Sequence, residues 1–308
     1  MVAYAKNEPF SWTKNVVSCA LDGLDGCGKG ELAKAVAKTV RNKGINVVVC
    51  DYPQYGLPFG RLLDRLLHEN DEDLSIAERM AVYALNRRES LPNIEKAVRS
   101  AYGKNGANIL ILFDRYPTSN LITLAYYILK EGKESKVKAM FKHYWPYMWQ
   151  IDSLLVSRLE LENAPVFVPV IDPDVALKAI SHDETRVGRD GYEALPVQRI
   201  AEQLYLLASH QDSRVKLLHQ YKKGSRRRLS PAAIAKELVG ELSLPARRTN
   251  EIGTVTALHL SRGGLTLPEI EHFFQENGGE KRFRRLIRIV RRDGLLGSSK
   301  RQAPRARA

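Results

Sequence analysis

"LDGLDGCGKGEL", residues 21–32, decides the fold. Gly23, then Gly28 and Lys29, have the GxxxxGK spacing of a phosphate loop. The context agrees with it. "NVVSCAL" (15–21) before the loop reads as a strand, and "ELAKAVAKTVRNKG" (31–44) after it reads as an amphipathic helix. Glycines let successive backbone N–H groups turn inward on an anion. The helix N-terminus adds about half a positive charge, and Lys29 supplies a full one. Gly23, Gly26, Cys27, Gly28, Lys29, Gly30 and Glu31 are therefore the candidate nucleotide-binding residues. The loop departs from the pattern at Gly30, where a Ser or Thr would ligate Mg²⁺. Two readings stay open at this point: a loop that works without its hydroxyl, and one that binds nucleotide without turnover. Asp25 would repel a triphosphate, so it is expected to face another group, such as a sugar hydroxyl of a second substrate.

Outward from the loop, short β-branched runs alternate with helical patterns. "INVVVCD" (45–51), "NILILFD" (108–114), "VFVPVID" (166–172) and "RVKLLHQ" (214–220) read as further strands. Continuous apolar strands alternating with helices imply a parallel sheet covered on both faces. Three motifs then fall at carboxyl ends of strands, where open α/β sheets bind their ligands, or on a nearby helix. Asp114 and Arg115 begin "DRYPTSN" (114–120) and would lie beside the loop. A carboxylate there can hold Mg²⁺ through water, and an arginine can neutralise a phosphoryl group in transfer. Tyr52 and Tyr55 in "DYPQYGLPFGRLL" would form an aromatic lip suited to a base. On the helix "YALNRRES" (83–90), Arg87 or Arg88 could reach a phosphate.

The order of these motifs resembles the thymidylate kinases, the dTMP kinases among P-loop nucleoside monophosphate kinases. The family pattern GxDGxGK, FPxY, NR, DRYxxSN and an arginine-rich lid reads here as "GLDGCGK", "YPQY", "NR", "DRYPTSN" and "TRVGRDGYE", across roughly 14–220. The resemblance implies a P-loop NTPase-type five-stranded parallel sheet flanked by helices. It implies transfer from ATP to dTMP, giving ADP and dTDP, with Mg²⁺, in a homodimer. It also implies roles. Lys29 binds ATP phosphates, and Arg115 bridges donor and acceptor with Asp114 supporting Mg²⁺. Asp25 meets the deoxyribose hydroxyl or the transferring region. Tyr52, Tyr55, Arg87 and Asn120 line the dTMP pocket. Arg186 and Arg189 of the lid close over the phosphates, with Asp190 and Tyr192 following. Gly191 stands where a lid arginine is common. The alternative is a catalytically impaired nucleotide binder whose tail meets nucleic acid or a partner.

Apolar content of 44% and charge of 27% are ordinary for a soluble globular chain of 308 residues. No apolar run approaches the roughly 20 residues of a membrane span, and no secretory pattern opens the chain. Three cysteines without metal spacing fit a reduced, cytoplasmic protein. The net charge of +13 is uneven: residues 1–224 balance at +3 and residues 225–308 at +10. Residues 1–224 are read as the kinase-like domain, 225–250 as a helix and linker with "KKGSRRRLS" exposed, and 251–308 as a small basic helical module. Helices are expected at 251–262, 266–277 and 281–294, and the last of these suits non-specific contact with nucleic acid.

Overall fold

The computed structural model describes residues 15–68, 74–103, 107–153, 156, 161–181, 191–222, 227–244, 255–258 and 284–289. The expected strands all form: β1 (Val16–Leu21), β2 (Asn46–Asp51), β3 (Ile109–Asp114), β4 (Val166–Val170) and β5 (Val215–His219). A sixth, β6 (Val255–Leu258), joins them, and the order is β5-β4-β1-β3-β2-β6. Every pairing is parallel.

β6 corrects the helix expected over 251–262. It pairs with the far side of β2, from Val47 opposite Val255 to Cys50 opposite Leu258. The run "TVTAL" is β-branched, and an unpaired β2 edge offers a row of backbone partners, so pairing overrides the local helical reading. The sheet therefore draws in chain well beyond residue 224. The helix expected over 266–277 lies outside the described residues.

Helices cover both faces. α1 (Lys29–Arg41) buries Leu32, Val36 and Val40, and α9 (Pro231–Glu241) packs on it through Ile234, Leu238 and Val239. The helix expected over 231–242 thus forms at Pro231–Glu241 and packs into the core. The opposite face carries α2 (Pro58–His68), α3 (Ile76–Glu89), α4 (Leu91–Tyr102), α5 (Asn120–Lys130), α6 (Val137–Ile151), α7 (Pro173–Ser181) and α8 (Leu195–Gln211). α3 opens with a capping box, in which Ser75 accepts from the Glu78 N–H and Glu78 accepts from the Ser75 N–H. It is buried on nearly every side, so its polar residues must find partners inside the protein.

Register sets the site. Leu21 lies opposite Asp114, and Asp114 lies opposite Asp51. The carboxyl ends of three adjacent strands therefore deliver the phosphate loop, the Arg115 turn and the Tyr52–Tyr55 loop to one edge.

Candidate active site

The loop's glycines do different work. Gly28 caps α1 in the left-handed region, with φ 88°, where glycine alone is unstrained. Gly26 is also left-handed, and a Cβ there would lie 2.2 Å from the Ala176 carbonyl oxygen. That close approach seats the loop on α7. Gly30 is different, because a Cβ there would meet nothing within 4 Å. Packing does not demand the glycine. Glu31 turns to Lys34, 2.7 Å away at the surface, and not toward the loop's N–H groups.

Lys29 is buried and lies across the loop, donating to Leu24 O at 2.7 Å and Gly23 O at 3.1 Å. Its ammonium is 3.8 Å from Asp25 Oδ1. Arg115 pairs with the same oxygen. Arg115 also holds a left-handed backbone, φ 71°, which is uncommon for any residue but glycine. Burial works against its charge, but Asp25 and then Asp114 keep it firmly protonated. Burial raises the Asp114 carboxyl, and Lys29 and Arg115 oppose that.

Asp25 is held from behind by a residue the motifs did not show. Its N–H donates to Gln198 Oε1 at 3.1 Å, and Gln198 Nε2 donates to Tyr192 O at 2.7 Å. Gln198 thus joins the loop to the turn that follows the lid. No local signal marks it, since a buried glutamine on α8 has no motif.

Asp22, also unmarked, ties β1 to the Arg115 turn. It is wholly buried and accepts from the Tyr116 N–H at 3.2 Å and from the Thr118 hydroxyl. Burial pushes its pKa up to about 7, against those hydrogen bonds. Its stabilising share is therefore fully present below about pH 4 and is lost as pH rises through about 7. Asp22→Asn keeps the Tyr116 N–H on its Oδ1, and the Thr118 hydroxyl turns to accept from the new amide N–H. The variant should gain stability relative to wild type between pH 5 and pH 8, as read by urea unfolding at the two pH values. An equal stability difference at both would show that Asp22 does not titrate in that range.

Two hollows flank the loop. One is a narrow cleft of about 70 Å³, lined by Asp25, Tyr55, Arg115, Asn120 and Tyr192, all named as candidates above. Tyr83, Thr123 and Leu67 also line it. The Asn120 Nδ2 is buried there with no hydrogen-bond partner among the described residues. A buried orphan donor in a cleft calls for a ligand atom. Tyr192 packs against Tyr126 with the rings tilted and their centres 4.9 Å apart, and its hydroxyl accepts from Arg79 at 3.3 Å. A Cβ on Gly191 would lie 2.9 Å from Tyr126 Cε2, which accounts for glycine where an arginine is common.

The other hollow, about 660 Å³, lies beside Gly26, Cys27, Gly28 and Glu31. Its far wall is Gln220 at the end of a strand run, with Lys222, Arg227 and Arg228 of the stretch read from sequence as an exposed linker. Tyr221 bridges Arg228 in antiparallel fashion. Gln220 Nε2 donates to the Cys27 carbonyl at 2.7 Å, and Arg228 Nη2 does so at 3.3 Å. Lys222, Arg227 and Arg228 are exposed and also border the phosphate loop. They follow β5 at the loop's edge of the sheet, a signal that composition alone hides.

Two expected residues are not brought to the cleft. Arg87 is 1% exposed, and its Nε and Nη2 bond Asp152 Oδ1 and Oδ2 at 2.8 and 2.6 Å. Tyr52 lies in the core, stacked on Phe113, with its hydroxyl 2.6 Å from Ser90 Oγ. Arg88 is also buried, and burial lowers its pKa to about 10. α3 has no solvated face for these arginines, so they turn inward. Arg186, Arg189 and Asp190 lie outside the described residues.

Residues 21–146 match the family model "Thymidylate kinase". This stretch is similar to the thymidylate kinase family. A thymidylate kinase of Trichormus variabilis is 36% identical over 107 residues, covering 34% of this chain and 46% of that protein. The chain thus matches about half the length of that relative. Thymidylate kinase of Candida albicans overlays on 73% of this chain and 90% of its own, with 17% identity and a TM-score of 0.46. The matched stretch contains the loop, the Tyr55 loop, α3 and the Arg115 turn. Gln198, Gln220 and Arg228 come from beyond it.

Proposed function

We propose that the chain is a nucleoside monophosphate kinase that transfers phosphoryl from ATP to dTMP. One observation carries this: Lys29 and Arg115 converge on Asp25 between the two hollows. The larger hollow, against the loop glycines and the Arg228 wall, suits the donor nucleotide. The cleft with the Asn120 amide suits the acceptor. Tyr55, the exposed aromatic at its mouth, offers a face for a base, and the cleft must widen as a nucleotide enters.

Phosphoryl transfer asks a protein for positioning and charge neutralisation more than covalent chemistry. Lys29 and the loop N–H groups hold the donor phosphates. Arg115 meets the group in transfer, where its charge counts most. Asp25 orients both cations, and Gln198 fixes Asp25. The oxygen donors Asp25 and Asp114 fit Mg²⁺, and a cation would ease the Asp114 carboxylate's burial. When bound, Mg²⁺ neutralises phosphate charge. Gly30 leaves open space, and Glu31, on the rim of the larger hollow, is paired with Lys34.

The resemblance further supports a homodimer in the cytoplasm. Among the described residues, no helix is long and apolar enough to cross a membrane. Arg284, Arg285 and Arg288 are exposed, and any contact with nucleic acid falls on that face. The proposal is checked by initial rates with ATP and each of dTMP, dCMP, dGMP and UMP. The rate on dTMP should exceed the others by about tenfold or more. Equal rates on purine and pyrimidine substrates would contradict it.

A further inference from the structure

The 284–289 helix carries arginines outward and Leu286, Ile287 and Ile289 inward. Those three are at most 6% exposed and join a cluster with Leu62, Leu66 and Val82 of α2 and α3. Arg285 Nη1 lies 3.3 Å from Glu78 Oε1, the same carboxylate that closes the capping box of α3. The tail thus grips α3 by its first turn and by its apolar face.

Tyr83 connects this grip to the acceptor cleft. It packs against the cluster that holds the three tail aliphatics, and it lines the cleft together with Leu67 of α2. One wall of the cleft is therefore formed by two helices whose outer side is covered by the tail. The cleft is narrow, so the position of that wall sets how the acceptor fits. The donor hollow has no lining residue from α2 or α3.

We propose that the C-terminal 284–289 helix braces the acceptor wall, with Leu286, Ile287, Ile289 and Arg285 as positioning residues for the acceptor nucleotide. This rests on the kinase reading given above. The test uses the full chain with Leu286→Ala and Ile289→Ala together, and separately Arg285→Glu, which leaves the apolar face intact and places like charge beside Glu78. Each should raise the KM for the acceptor monophosphate by about tenfold and leave the KM for ATP within about twofold. A merely structural role would lower the amount of active protein and move neither KM. In the same variants, amide hydrogen exchange should quicken in residues 58–68 and 76–89 and stay unchanged in α1. An unchanged acceptor KM in both variants, an equal rise in both KM values, or unchanged exchange in α2 and α3 overturns the brace. A wild-type chain that transfers phosphoryl to no nucleoside monophosphate defeats the kinase reading instead, and the exchange result then decides the brace alone.

Discussion

Lys29→Ala is expected to lower kcat by about three orders of magnitude, the upper end of what one preorganised charge supplies in a water-excluded site. Lys29 is the cation within the loop, buried and held by two loop carbonyls. Its charge sits at the start of α1, where we propose that donor phosphates collect. The loss should fall on chemistry as well as on ATP binding, because negative charge redistributes during transfer. Steady-state rates, with circular dichroism to confirm the fold, make the check. A variant that keeps a wild-type rate and an unchanged KM for ATP would remove the loop from the mechanism.

Asp152→Ala is expected to destabilise the fold by about 3–5 kcal/mol, the usual cost of leaving one member of a buried pair alone. Arg87 and Asp152 are both essentially inaccessible and share two short hydrogen bonds. Without the carboxylate, the guanidinium keeps its charge inside α3's packing, with Arg88 beside it in sequence. Such a loss is a large part of the 5–15 kcal/mol typical of a domain. Urea unfolding measures it. A loss under about 1 kcal/mol would mean that Arg87 is not committed to Asp152, and would return it to the list of substrate-binding candidates.

The Arg87 case shows where sequence reading ends. All five expected strands formed within a residue or two of their runs, because continuous β-branched segments between helices permit little else. The loop and the Arg115 turn were legible for the same reason: strand ends fix them, and both motifs are local. Arg87 belongs to a motif, but its direction depends on Asp152, 65 residues away. Gln198, Gln220 and Arg228 hold the loop from segments that carry no motif of their own. Lys222, Arg227 and Arg228 have the composition of a linker, yet they border the hollow beside the loop glycines. β6 looked helical because its local pattern is ambiguous, and only the free edge of β2 resolves it. Leu286, Ile287 and Ile289 form one buried face. What that face covers is a tertiary fact, and no local pattern reports it.

The central claim is that Lys29, Asp25 and Arg115 join two nucleotide sites into one transfer centre. Single-turnover transfer from γ-labelled ATP to dTMP, in wild type and in Arg115→Ala, tests it most directly. Labelled dTDP should form in wild type. In Arg115→Ala the rate of that step should fall by about a hundredfold or more, while ATP binding stays within a few fold. No labelled dTDP from wild type, or a normal transfer step in the variant with only weaker ATP binding, would contradict it.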